Sequence, residues 1–115
     1  MRDDREWLLD ILDAIERTEK YSSRGRQTFE EDELIQNWIV HSLQIIGEAL
    51  RSISEDFRRE HRELPWKETV GMRNVLVHRY FELDVDLVWK AVTRDLPDLK
   101  EKIIAILEEG REDSL

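Results

Sequence analysis

The chain contains no cysteine, which excludes a disulfide framework and any thiolate metal site. Two prolines and four glycines are too few for a Pro-rich or Gly/Ser-rich linker, and no internal repeat divides the sequence. At 115 residues it reads as one domain, residues 1–115, large enough for a single core. No apolar run is long enough to span a bilayer, so no membrane partner is expected. The charged start, Met1-Arg2-Asp3-Asp4-Arg5-Glu6, leads into an amphipathic segment and does not read as a secretory signal. The cytoplasm is the expected compartment. Acidic residues outnumber basic ones. A formal net charge of −9 argues against a general nucleic-acid coat protein, whose affinity comes from summed phosphate contacts. His41, His61 and His78 lie far apart, with no His-x-x-x-His pair, so no metal and no cofactor are expected. A Gly-rich phosphate loop, a Walker lysine and a Gly-x-Ser-x-Gly elbow are all missing.

What is present is helical periodicity. Trp7, Leu8, Ile11, Leu12, Ile15 and Thr18 follow the helical spacing and predict a first helix from Asp3 to Tyr21, stopped by Ser22, Ser23 and Gly25. Leu34, Ile35, Trp38, Ile39, Ile45, Ile46, Ala49, Leu50 and Ile53 predict a second from Thr28 to Ser54. Glu30 to Glu33 favour its N-terminus through the helix dipole. Gly47 costs that helix roughly 1 kcal/mol relative to alanine, which suggests the close approach of another helix. A third helix runs from Leu64 to Tyr80, with Pro65 at its start. Asp84 is a natural N-cap for a fourth, which holds Leu87, Val88, Ala91 and Val92. Pro97 cannot continue that helix in register but can start a fifth, with Leu99, Ile103, Ile106 and Leu107 inside and Gly110 as its end. Four to five helices with short loops predict an all-α, up-and-down bundle.

Two basic groups stand out on this acidic chain. Arg24 and Arg26 share one apparent loop, and Arg58, Arg59, His61 and Arg62 share another. If the second lies near the third helix it could make a local positive field; the other reading is a solvated helix end. Trp7, Trp38, Trp66 and Trp89 are spaced like core or interface residues rather than base-stacking platforms.

The densest chemistry lies in Gly71-Met72-Arg73-Asn74-Val75-Leu76-Val77-His78-Arg79-Tyr80-Phe81. A fixed cation, an amide, a titratable imidazole and a phenol sit among residues apolar enough to bury, which is costly unless the groups are paired or used. On a helix, Asn74 and His78 stack on one side and Arg73 and Tyr80 on another. Val70, Val77 and Phe81 form one apolar stripe, with Met72 and Val75 roughly opposite. One face can pack within the subunit and the other against a second subunit. Glu48, beside Gly47, is an acid among apolar neighbours. It could orient Arg73 or His78; an exposed carboxylate on the polar side is the alternative.

Arg73, four residues, His78, one residue and Tyr80 match the Arg-x4-His-x-Tyr motif of HEPN ribonucleases, and the chain resembles the HepT-like toxins among them. The likeness extends to Asp10-Ile11-Leu12-Asp13-Ala14-Ile15-Glu16-Arg17, Ile45-Ile46-Gly47-Glu48-Ala49, Pro65-Trp66, Val88-Trp89 and Asp95-Leu96-Pro97. The resemblance implies a HEPN-type bundle and a homodimer whose two motifs share a cleft, with Met72 and Val75 available to the interface. It implies a metal-independent endoribonuclease, with transfer RNA or messenger RNA as substrate. His78 would be the general acid/base and Arg73 the phosphate clamp. Asn74 would orient the phosphate or His78, and Tyr80 would bind the phosphate or complete the pocket. It further implies a toxin–antitoxin system in which an MntA-type nucleotidyltransferase transfers AMP to Tyr80. Two other readings stay open: a non-catalytic helical partner of a nucleotidyltransferase, and a structural dimer whose motif is a packed polar cluster.

Overall fold

The computed structural model describes residues 3–64, 66 and 85–113. Among them there is no strand, and the bundle is all-α. Helix α1 spans Asp4–Ser22, α2 Arg26–Glu31, α3 Glu33–Ser52 and α4 Glu55–Glu60. Beyond the undescribed stretch, α5 spans Val85–Lys90, a π-helical segment spans Ala91–Asp95, and α6 spans Leu96–Asp113.

Helix α1 begins where its polar residues can serve it. The Asp3 side chain accepts the Glu6 backbone N–H at 2.9 Å and satisfies one of the orphan donors of the first turn. Of the expected stripe Leu8, Ile11 and Ile15 are buried, joined by Ala14, while Trp7 and Leu12 are partly buried against them. Thr18 completes it at 0 % exposure, because its hydroxyl donates to the Ile15 carbonyl at 2.7 Å and needs no water. Opposite lies α3, which contributes Ile35, Ile39, Leu43, Ile46, Ala49 and Leu50.

Contacts at the helix ends set the directions. Asp4 at the start of α1 accepts from the backbone N–H (2.9 Å) and the hydroxyl (2.7 Å) of Ser54, just past the end of α3. Tyr21 at the other end meets Trp38, in the first half of α3. The two helices are therefore antiparallel. Lys100, early in α6, donates to Glu19 near the end of α1 at 2.9 Å, so α6 is antiparallel to α1 as well. Helix α1 is the central rod, and Val88, Val92, Leu96, Leu99 and Ile103 close the core on its other side.

Three boundaries differ from expectation. The long second helix is broken at Asp32, whose backbone is extended (φ −109°, ψ 102°). Its carboxylate accepts the N–H groups of Leu34 (3.0 Å) and Ile35 (3.2 Å), an N-cap that starts α3 afresh. Gln36 then donates to the carbonyls of Phe29 (2.9 Å) and Glu30 (3.0 Å), which closes α2. Only Glu33 lies in the first turn of α3, while Glu30 and Glu31 end α2. Pro97 makes no break. The helical path from Val85 onward widens into the π segment, and the Leu96 N–H reaches back to the Ala91 carbonyl, one residue beyond the α-helical partner. The wider turn falls just before the one residue with no N–H to give and a ring that crowds the preceding turn. Gly110 does not end α6, which continues to Asp113.

The expected Asp84 cap lies outside the described residues. So does the expected third helix, apart from Leu64 and Trp66. Leu64 is buried, and the Trp66 indole N–H donates to the His61 carbonyl at 2.9 Å with its ring edge-on to Phe57.

Candidate functional site

Met72, Arg73, Asn74, Val75, His78 and Tyr80 lie outside the described residues. Of the residues singled out for chemistry, Glu48 alone is placed. It is exposed on α3, although Gly47 and Ala49 on either side are buried. A helix carries neighbours three and four apart on one face, and His41, Gln44, Ile45 and Glu48 follow that spacing. With Ala49 from the same helix and Trp7 and Asp10 from α1, they line a groove of about 460 Å³. Its walls are mostly apolar, from Trp7, Ile45 and Ala49. Its polar groups are one imidazole, one amide and two carboxylates.

This composition suits hydrogen bonding and proton exchange with a polar ligand more than anion capture. A phosphate here would need a cation from elsewhere, because Asp10 and Glu48 repel it. Among the described residues no three His, Asp or Glu side chains are grouped closely enough to hold a metal ion. Sequence reasoning did not single out Asp10, His41 or Gln44 as site residues. The available signal was the seven-residue spacing of His41 and Glu48, two helical turns on one face, opposite a resembling block that begins at Asp10.

The approach to the undescribed stretch is built by residues 54–66. The Ser54 hydroxyl accepts the Phe57 N–H at 3.2 Å and caps α4. Arg58 turns back and donates to the carbonyls of Leu50 (3.0 Å) and Arg51 (2.7 Å), the exposed end of α3. Arg59 faces Glu55 at 3.5 Å and Asp56 at 3.7 Å. His61 stacks on Phe57, with ring centroids 4.3 Å apart, and its Nδ1 lies 3.2 Å from Glu63. The Glu63 carboxyl is held below its ordinary value, first by a backbone N–H and then by His61. Arg58 is thus engaged with the end of α3, and Arg59 and His61 within their own segment; the third helix that could share their field lies outside the described residues.

Among the described residues the domain is all-α, with a polar-rimmed groove between α1 and α3, its two longest helices. Comparison with known proteins supplies the class. The model of the family described as ribonuclease HepT-like matches residues 11–106, and the chain belongs to that family. It is 41% identical over 103 residues to "Putative RNase MJ1380" of Methanocaldococcus jannaschii, covering 89% of this chain and 94% of that protein. It is 41% identical over 102 residues to "Probable ribonuclease HepT" of Thermococcus cleftensis, covering 88% and 93%. A third relative, "Gamma-glutamylcyclotransferase and putative RNase MJ0434" of M. jannaschii, is 36% identical over 109 residues; the match takes 94% of this chain but only 49% of that protein. No solved structure matches.

Proposed function

We propose that this chain is a metal-independent endoribonuclease and the toxin of a HepT/MntA-type, type VII-like toxin–antitoxin pair, acting in the cytoplasm. The observation that carries the reading is the Arg73-x4-His78-x-Tyr80 motif in a chain of the HepT-like ribonuclease family. In this mechanism His78 takes the proton of an RNA 2′-hydroxyl as that oxygen bonds to the adjacent phosphorus, and a proton is returned to the departing 5′-oxygen. The products are a 2′,3′-cyclic phosphate and a free 5′-hydroxyl. An imidazole with an ordinary pKa of about 6.5 can do both at neutral pH. Arg73 binds the phosphate through two N–H groups and stabilises the charge that builds in the transition state. Asn74 orients the phosphate or His78, and Tyr80 completes the pocket. Glu48, on the groove rim, is the supporting acid. Two protomers, joined through faces that include Met72 and Val75, bring two motifs to one cleft. An MntA-type nucleotidyltransferase silences the site by placing AMP on Tyr80, which adds bulk and a negative charge that competes for Arg73.

Purified protein incubated with total cellular RNA in EDTA tests this. Wild type should yield 2′,3′-cyclic phosphate ends. His78→Ala and Arg73→Ala, folded by circular dichroism, should lose about 100-fold or more in rate. Absence of cleavage by folded, dimeric, unmodified wild type would reject the enzyme and leave a non-catalytic nucleotidyltransferase partner.

A further inference from the structure

The described surface carries one aromatic platform that the proposed catalytic motif does not use. Trp38 is 39 % exposed on α3, and Leu34, one turn earlier, is 80 % exposed. The Tyr21 ring meets Trp38 edge-on, with centroids 6.3 Å apart and planes at 72°. His41 lies one turn further along, 6.1 Å from the Trp38 ring. Two cations flank the platform. Lys20 Nζ is 6.0 Å from the Tyr21 ring centroid, and the Arg24 guanidinium is 5.5 Å from it. Among the described residues neither cation is paired with a carboxylate, whereas Arg17 is bound to Asp13 and Arg26 to Glu30.

We infer that this platform is a binding surface for single-stranded RNA, which leads the strand along α3 toward the groove at His41 and Glu48. The inference rests on the ribonuclease reading and adds to it a substrate path and a preference for unpaired strands. Exposed aromatic rings bordered by cations are what single-stranded nucleic acid requires: every base has a face to stack, and every linkage has a phosphate to neutralise. A base pair hides both of its faces within the duplex, so a stacked helix gains nothing from Trp38. Phosphate is drawn to the Tyr21 edge, where Lys20 and Arg24 lie, and away from Glu31, Asp32 and Glu33 beside Leu34. His41 belongs to both the platform and the groove, so the two surfaces are continuous.

The probe is a fluorescein-labelled 2′-O-methyl oligouridine of twelve residues, which lacks the 2′-hydroxyl and cannot be cleaved. Binding is read by fluorescence anisotropy at several salt concentrations, and oligomeric state by light scattering. Trp38→Ala should weaken binding about 5- to 100-fold, with Trp38→Phe keeping most of it. Lys20→Ala/Arg24→Ala should lower the slope of log affinity against log salt by about 1.4, or 0.7 per lost phosphate contact. The duplexed probe should bind no better to wild type than to Trp38→Ala. Unchanged affinity of folded Trp38→Ala would overturn the inference. So would a loss of affinity that appears only together with dissociation of the oligomer, which would make the face a contact between copies. Binding that persists without cleavage of ordinary RNA would sink the ribonuclease reading alone; cleavage without platform-dependent binding would sink this one alone.

Discussion

Two clusters of cations, Lys20 to Arg26 and Arg58 to Arg62, look alike as strings of letters and behave differently in the fold. In the second, Arg58 is tied to two carbonyls at the end of α3, Arg59 faces two acids on its own helix, and His61 is bound to Glu63. In the first, Arg26 is held by Glu30 and Asp86, but Lys20 and Arg24 stand over an aromatic ring. The difference comes from what surrounds each cluster. The 54–66 segment folds back on the C-terminus of α3, whose last carbonyls need donors. The α1–α2 turn meets the half-exposed Tyr21–Trp38 pair, which needs none. Arg58 is thus part of the scaffold, while Lys20 and Arg24, farther from the motif in sequence, remain open to a ligand.

The strongest challenge to this contrast is Arg58→Ala. It removes two charge-assisted hydrogen bonds and strips two carbonyls of their donor. The buried Nε, which finds no partner among the described residues, already offsets part of that gain. The expected loss is about 2 kcal/mol in urea unfolding. Arg58→Lys should recover only part of it, because an ammonium is a point charge and not a two-pronged donor. A loss below about 0.5 kcal/mol would return Arg58 to the solvated surface and erase the distinction. The counterpart, Lys20→Ala/Arg24→Ala, should change stability by only about 0.5 kcal/mol, the scale of exposed cation–π contacts. A much larger loss would mean that the first cluster is scaffold too.

The apolar stripes were readable from the sequence because burial follows period. Leu8, Ile11 and Ile15, then Ile35, Ile39, Ile46, Ala49, Leu50 and Ile53, and Leu99, Ile103 and Ile106 are in the core as expected, whereas Leu34 of the same stripe is 80 % exposed. The errors arose where one side chain's hydrogen bonds overrule a pattern. Asp32 sits inside a run of acids that reads as the first turn of one helix, yet its carboxylate serves as a cap and splits the run. Pro97 reads as a boundary, but a π turn absorbs its missing N–H without interrupting the path. Gly110 reads as a stop, but glycine only weakens a helix. Trp38 is less buried than its place in an apolar stripe suggests. Periodicity gives the direction in which a side chain points, not whether another element reaches it. Of the candidate site, Glu48 and its exposure were open to sequence reasoning. The groove was not, because Asp10 and His41 come together only through the antiparallel pairing of α1 and α3.

The smallest effect concerns acid. Glu63 is the carboxylate of the second cluster whose pKa is lowered in the fold, by a backbone N–H and by His61. An unfolded glutamate titrates near 4.3. Because the folded value lies below that, the unfolded chain binds more protons in the interval between the two, and stability rises with pH there. The contribution of Glu63 is therefore complete above the unfolded value and is lost as pH falls through the folded one. Its side chain is 49% exposed, so water screens the contacts and the change stays smaller than either effect above. Thermal unfolding of wild type and Glu63→Gln from pH 7 down to pH 3 should give curves that converge at the acid end. Lys20→Ala/Arg24→Ala should keep the wild-type slope, since its two cations have no carboxylate to protect. An acid limb altered by the Lys20/Arg24 pair and not by Glu63 would reverse the roles assigned to the two clusters.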